Sequence, residues 1–287
     1  MTQGRRPIRL EEDPFDRVAD SPPAKSQSSG RPVRVVIRSG PSTPFEPFMR
    51  GFFDVGGGSV TPHKGSFLHF SERELKDLAM ATLAFSFAIS LVMHGGVFNM
   101  MKFPLGELLG SLARSTVFAL AGIAPAFVLH ELAHKYVARH FGCWAEFRAD
   151  PRGLKIGVLI AFIIGFVFMA PGAVMVAGRV GRKENGIIAL AGPISNILLF
   201  AFGLLAGGFL ISVTSTAWVD DLVKFWLWGN AILGAFNMLP FGPLDGRKVK
   251  DWSEPVFWSF LTLTVGLVYL TFSGKVVAIL QYVVNIF

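Results

Sequence analysis

Residues 115–129 carry no ionisable side chain and run directly into His130-Glu131-Leu132-Ala133-His134. No other feature constrains the chain as tightly. The apolar run continues to residue 137, enough for a bilayer crossing, which takes about 20 residues. In hydrocarbon every backbone N–H and C=O must be satisfied within the segment, so the run has to be helical. Histidines four apart then share one helical face and can share a metal ion. Glu131 projects about 100° around the axis, beside such an ion rather than in its ligand shell. There it can take a proton from a metal-activated water. The same five-residue pattern occurs in soluble zinc peptidases and alone is only a hypothesis of hydrolysis. Its depth adds weight, because ionisable groups inside a membrane are costly and tend to be functional.

Composition agrees with a bilayer. Hydrophobic residues make up 52% and charged ones only 16%, against about 25% charged in soluble domains. The 28 phenylalanines and 31 glycines suit lipid-facing helices in close contact. The net charge of +7 could suggest nucleic-acid binding. The basic residues, however, are scattered between apolar segments and form no stripe, so no nucleic acid is expected. Cys143 is the single cysteine, which excludes an intrachain disulfide and a cysteine-based zinc site. Arg5 and Arg6 are not followed by an apolar stretch, so they do not open a secretory or twin-arginine signal.

Residues 1–32, rich in Pro, Ser, Gly and charges of both signs, read as a disordered tail. Residues 33–70 read as a small cytoplasmic region, with a possible strand over Val33, Val35 and Ile37 and a turn at Gly56-Gly57-Gly58. Ser71-Glu72-Arg73-Glu74 offers a capping box that starts a helix. From there residues 71–287 form the expected membrane domain. Six apolar segments follow, at 78–93, 115–137, 156–170, 187–213, 222–239 and 256–272, with a short apolar tail at 276–287. Pro125 is expected to kink the second.

A third metal ligand must lie at the depth of the two histidines, and Asp245 in Pro243-Leu244-Asp245-Gly246 is the best candidate. Both ends face one side only if an even number of crossings separates them, yet three segments intervene. The segment 156–170, ending at Pro171-Gly172, is the natural re-entrant element. Loop charges agree. With the N-terminus inside, the cytoplasmic loops hold eleven basic residues: Lys135, Arg139, Arg148, Arg152, Lys155, Arg179, Arg182, Lys183, Arg247, Lys248 and Lys250. The outer loops hold three, Lys102, Arg114 and Lys224, the positive-inside bias. The residues alone leave Asp245 open between a ligand and an ordinary Asp-Gly turn. Asn230 and Asn237, two turns apart on one face, could equally serve interhelical hydrogen bonds.

Three motifs in order carry a resemblance: His130-Glu131-Leu132-Ala133-His134, then Ala191-Gly192-Pro193-Ile194-Ser195-Asn196, then the stretch from Asn237 to Gly246 with Pro240 and Leu244-Asp245-Gly246. In them the chain resembles the site-2 protease family of intramembrane zinc metalloproteases. The resemblance implies one Zn2+ per chain on His130, His134 and Asp245, Glu131 as the catalytic carboxylate, and Asn237 near the metal. It also implies that Pro171, Gly172 and Val174 belong to a β-like loop that receives substrate. Gly192 and Pro193 read as a tight helix start.

The expected fold is therefore an all-α polytopic membrane protein of about five to six transmembrane helices with a re-entrant or β-like element. The expected activity is that of a zinc endopeptidase cleaving a transmembrane or juxtamembrane bond of a membrane-tethered protein, in regulated intramembrane proteolysis. It would sit as a multi-pass protein in the cell membrane, its site opening to the cytoplasm. The alternative is a membrane metal-ion transporter, and Glu131 separates the two, since transit needs ligands but no neighbouring base.

Overall fold

The computed structural model describes residues 69–285 apart from Phe168, Ala170, Arg179 and Ser215. The expectations for the tail 1–32, and for all but the last two residues of 33–70, lie outside the described residues.

Helix α1 spans Glu72–Met93, and its cap is half of the expected box. Ser71 Oγ accepts from the Glu74 amide at 3.1 Å, worth about 1 kcal/mol. Glu74 does not reach back. Its carboxylate turns inward, taking the Lys135 ammonium at 2.5 Å and the Phe147 amide at 3.1 Å. Leaving a buried ammonium unpaired would cost far more than leaving one half-buried amide to water. Lys135, expected in a cytoplasmic loop, is thus fully buried.

A short α2 (Val97–Met100) leads to α3 (Leu105–Gly122) and α4 (Ala124–His140). The expected single crossing at 115–137 begins ten residues earlier and breaks at Ile123. Pro125 lies in the first turn of α4, where its missing N–H has no helical partner to lose. Together α3 and α4 give a run of 36 residues, with the histidines in its last third.

Strand β1 (Trp144–Ala149), helix α5 (Pro151–Ile164) and strand β2 (Gly172–Ala177) form one excursion. The strands pair antiparallel, from Trp144 opposite Ala177 to Ala149 opposite Gly172, so the chain leaves α5 on the side where it entered. Helix α5 has 14 residues, about 21 Å long, short of the ~30 Å of hydrocarbon. This is the re-entrant element. Gly165 ends it in the left-handed region and meets Gly96 at the far end of α1: a Cβ on Gly96 would stand 2.7 Å from the Gly165 nitrogen. A side chain at either position would push the two ends apart.

The remaining chain builds α6 (Arg182–Thr214), α7 (Ala217–Asn237), α8 (Asp245–Trp252), α9 (Glu254–Phe272) and α10 (Lys275–Val284). Among the described residues four helical runs are long and apolar enough to cross a membrane: α1, α3–α4, α6 and α9. Helix α7 has 21 residues, about 31 Å, and turns back along α6, where Gly203 and Gly207 admit Trp226 and Val223. Helix α7 is thus a fifth long helical run among the described residues. Helix α10, from the apolar tail, is about 15 Å long and folds onto α6, with Val283 against Gly208. Pro193 lies inside α6, so Gly192-Pro193 is not the helix start that local rules indicate. Near the site, Phe127 on α4 packs edge-on against Phe147 on β1 at 5.8 Å and at a tilt against Phe85 on α1 at 5.6 Å. That trio fixes the sheet to α4 one turn before His130.

Candidate metal centre

Helix α4 sets the His130 and His134 rings on one face, edge to face with centroids 4.7 Å apart. Asp245 arrives from the first turn of α8. Gly246 makes that arrival possible, because a Cβ there would lie 2.1 Å from the Met238 carbonyl oxygen. Only glycine lets α8 start so close to the end of α7, which tucks Asp245 inward. The result is that Asp245 Oδ2 lies 3.3 Å from His130 Nε2 and 3.0 Å from His134 Nε2. All three side chains are buried. Burial by itself favours the neutral acid at Asp245. The Lys248 ammonium, 3.2 Å from Oδ1, favours the carboxylate instead.

The donor set fits a divalent ion on three counts. Zinc bound tetrahedrally at about 2.0–2.1 Å separates its ligand atoms by roughly 3.3–3.4 Å, close to the spacings seen. Next, both imidazoles spend their ring proton elsewhere. His134 Nδ1 donates to the Ile188 carbonyl at 2.7 Å and His130 Nδ1 to Asn196 Oδ1 at 2.7 Å. Two Nε2 lone pairs and a carboxylate oxygen then converge with no hydrogen among them, an arrangement that needs a cation. Finally, Gly192 on α6 leaves the room. A Cβ on Gly192 would stand 2.5 Å from both Nε2 atoms, in the space an ion takes.

The other expected residues fall as follows. Glu131 is half-buried on the neighbouring face of α4, and the Val174 backbone amide faces its carboxylate. Pro171 precedes β2 and its carbonyl accepts from the Asp150 amide at 3.2 Å. Gly172 opens β2 at φ 150°, where a Cβ would lie 2.3 Å from the Arg148 carbonyl oxygen. Asn237 ends α7 and donates to the Leu233 carbonyl of its own helix at 3.1 Å. Among the described residues no hydrogen bond joins it to His130, His134 or Asp245. Asn196, Asn230, Gly192 and the Ile188 carbonyl surround the histidines and were not expected there. The advance signals were the motif that holds Gly192 and Asn196, and the expectation of an interhelical hydrogen bond at Asn230, which it makes with Asn196.

Comparison with known proteins gives the class. The chain is 35% identical over 200 residues, 69% of its own length and 93% of the relative's, to "Putative zinc metalloprotease MJ0611" of Methanocaldococcus jannaschii. It is 30% identical over 147 residues (45% of this chain, 66% of the relative) to "Putative zinc metalloprotease YwhC" of Bacillus subtilis. It is 31% identical over 145 residues (47% and 32%) to "Putative zinc metalloprotease Rip3" of Mycobacterium tuberculosis. No family model and no solved structure matches the chain. The protein is a zinc metalloprotease, a hydrolase with helices fit for a membrane. It belongs to the site-2 protease family.

Proposed function

We propose that this metalloprotease cleaves a peptide bond within or beside a transmembrane helix of a membrane-tethered protein, with one zinc held by His130, His134 and Asp245. The observation that carries the reading is the buried ring of two imidazoles and a carboxylate at the end of a 36-residue apolar run, with Glu131 adjacent. Zinc held there would supply Lewis acidity and a water of lowered pKa. Glu131 takes the proton of the attacking water as the new C–O bond forms at the scissile carbonyl. It returns that proton to the leaving nitrogen as the C–N bond breaks. Asn237 supports the site: one of its two amide protons goes to Leu233, which leaves the other for a substrate carbonyl.

Substrate is received along β2, by way of Pro171, Gly172 and Val174. The Phe147 amide points away from β2 to Glu74, so Phe147 and Val174 form a non-hydrogen-bonded pair. Val174, and Val176 two residues on, therefore turn their own N–H and C=O to the outer edge, the side of Glu131. A substrate helix unwound into a strand could pair there, which matters because its carbonyls are otherwise locked in helical bonds. The basic loops support a site that opens to the cytoplasm, on the side of the N-terminus. Lys135 and Arg139 drop out of that count because both are buried, and Arg179 lies outside the described residues. Hydrolysis is favoured over metal transport by the relatives, which are named as metalloproteases.

The test uses the protein in liposomes with a single-span reporter. Glu131→Gln should keep its zinc and lose cleavage by at least about 100-fold. Cleavage that persists, or zinc flux into the liposomes that survives Glu131→Gln, would sink the reading.

A further inference from the structure

We infer that Asn196 is a positioning residue for the metal centre: with Asn230 it fixes His130 as the tautomer protonated on Nδ1, so that the Nε2 lone pair faces the ion. This rests on the proposed ligation by His130, His134 and Asp245.

Two backbone carbonyls, which can only accept, set the direction of the whole hydrogen-bond chain. Trp226 O takes a 2.9 Å bond from Asn230 Nδ2. The end of the Asn230 amide that faces Asn196, at 3.1 Å, is therefore its oxygen. Asn196 must offer Nδ2 there, and the same Nδ2 donates to Ala126 O at 3.1 Å. An amide nitrogen carries two protons, so both are spent. What remains for His130 Nδ1, at 2.7 Å, is Asn196 Oδ1. An oxygen accepts, so Nδ1 carries the proton and Nε2 a lone pair.

Both asparagines are 1% exposed. Flipping either amide would set acceptor against acceptor in a buried place, where each unmade bond is costly. The chain also ties three helices together: α4 through His130 and Ala126, α6 through Asn196, α7 through Asn230. Ala126 lies one turn before His130, so the Asn196 side chain clamps both the ring and the backbone that carries it. For helix packing alone, the two bonds from Nδ2 would suffice. The oxygen on His130 is the additional, metal-directed part.

The test is zinc affinity, by competition with a chromophoric chelator on full-length protein in detergent, alongside thermal unfolding of the zinc-free form. Asn196→Leu should bind zinc about 10–100-fold more weakly. Asn196→Asp loses the same two donated bonds, and with them comparable zinc-free stability, but keeps an acceptor for the Nδ1 proton. It should hold zinc close to the wild-type affinity. Asn230→Leu should weaken zinc less than Asn196→Leu, because Ala126 O still orients the amide. Wild-type affinity in Asn196→Leu, or equal weakening in Asn196→Asp and Asn196→Leu, overturns the inference. His130→Ala and Asp245→Ala run beside them. If those two bind zinc like the wild type, the ligand reading itself fails. If they lose zinc while Asn196→Leu keeps it, only the positioning role fails.

Discussion

Gly192→Ala adds one methyl group at the place where the structure has none to spare. The new Cβ would stand 2.5 Å from His130 Cε1 and Nε2 and from His134 Nε2. Non-bonded heavy atoms settle at about 3.5–4.0 Å, so both rings must retreat by roughly 1 Å. Zinc–nitrogen distances tolerate only about ±0.2 Å, a fifth of that displacement. The rings cannot swing aside cheaply, since each is pinned by a 2.7 Å bond from Nδ1. Zinc affinity should therefore fall at least about 100-fold, or roughly 2.7 kcal/mol. The helix itself responds the other way, because alanine inside a helix is favoured over glycine by up to about 1 kcal/mol. Zinc-free Gly192→Ala should consequently unfold within about 1–2 kcal/mol of the wild type. The assay is chelator competition, paired with thermal unfolding in excess chelator. Wild-type zinc affinity in this variant would refute the reasoning, since it would mean that the ion sits somewhere other than between these rings and α6.

Two further outcomes follow from the sheet and the buried ion pair. Proline at both Val174 and Val176 removes the outward N–H groups of β2, so cleavage of a membrane-helix reporter should stop while zinc content stays at the wild-type level; unaffected cleavage would remove β2 from substrate capture. Lys135→Met strands the Glu74 carboxylate in the interior and should cost about 3–5 kcal/mol. The pair Glu74→Gln with Lys135→Met should recover most of that loss, because the glutamine oxygen still accepts from the Phe147 amide; thermal unfolding of both proteins checks this, and equal losses would mean that the ion pair is not what is being measured.

Much of the architecture could be read from local pattern. Helical spacing alone puts His130 and His134 on one face. Parity of crossings and loop charge together anticipated the excursion at 156–170, because both depend on length and sign rather than on packing. Where the reading departs from the structure, long-range contacts are responsible. Lys135 looks like a loop cation, but its partner Glu74 lies 61 residues upstream, and nothing near either residue announces the pair. Gly192-Pro193 reads as a break by local rules, yet it lies inside α6 because the close approach to the imidazoles needs a glycine in mid-helix. Asn196 and Asn230 meet only because α6 and α7 are rotated to face each other, and rotation about a helix axis is set by the whole interface. Asn237, which opens the motif that holds Asp245, donates to Leu233 of its own helix, a contact that the motif does not announce.

The central claim is that Asp245 closes a metal shell begun by two histidines more than a hundred residues before it. Zinc content of the purified protein, measured across Asp245→Ala and Glu131→Gln, tests it most directly. One equivalent of zinc in the wild type and in Glu131→Gln, with Asp245→Ala nearly empty, is the predicted result. A full equivalent retained by Asp245→Ala would contradict it.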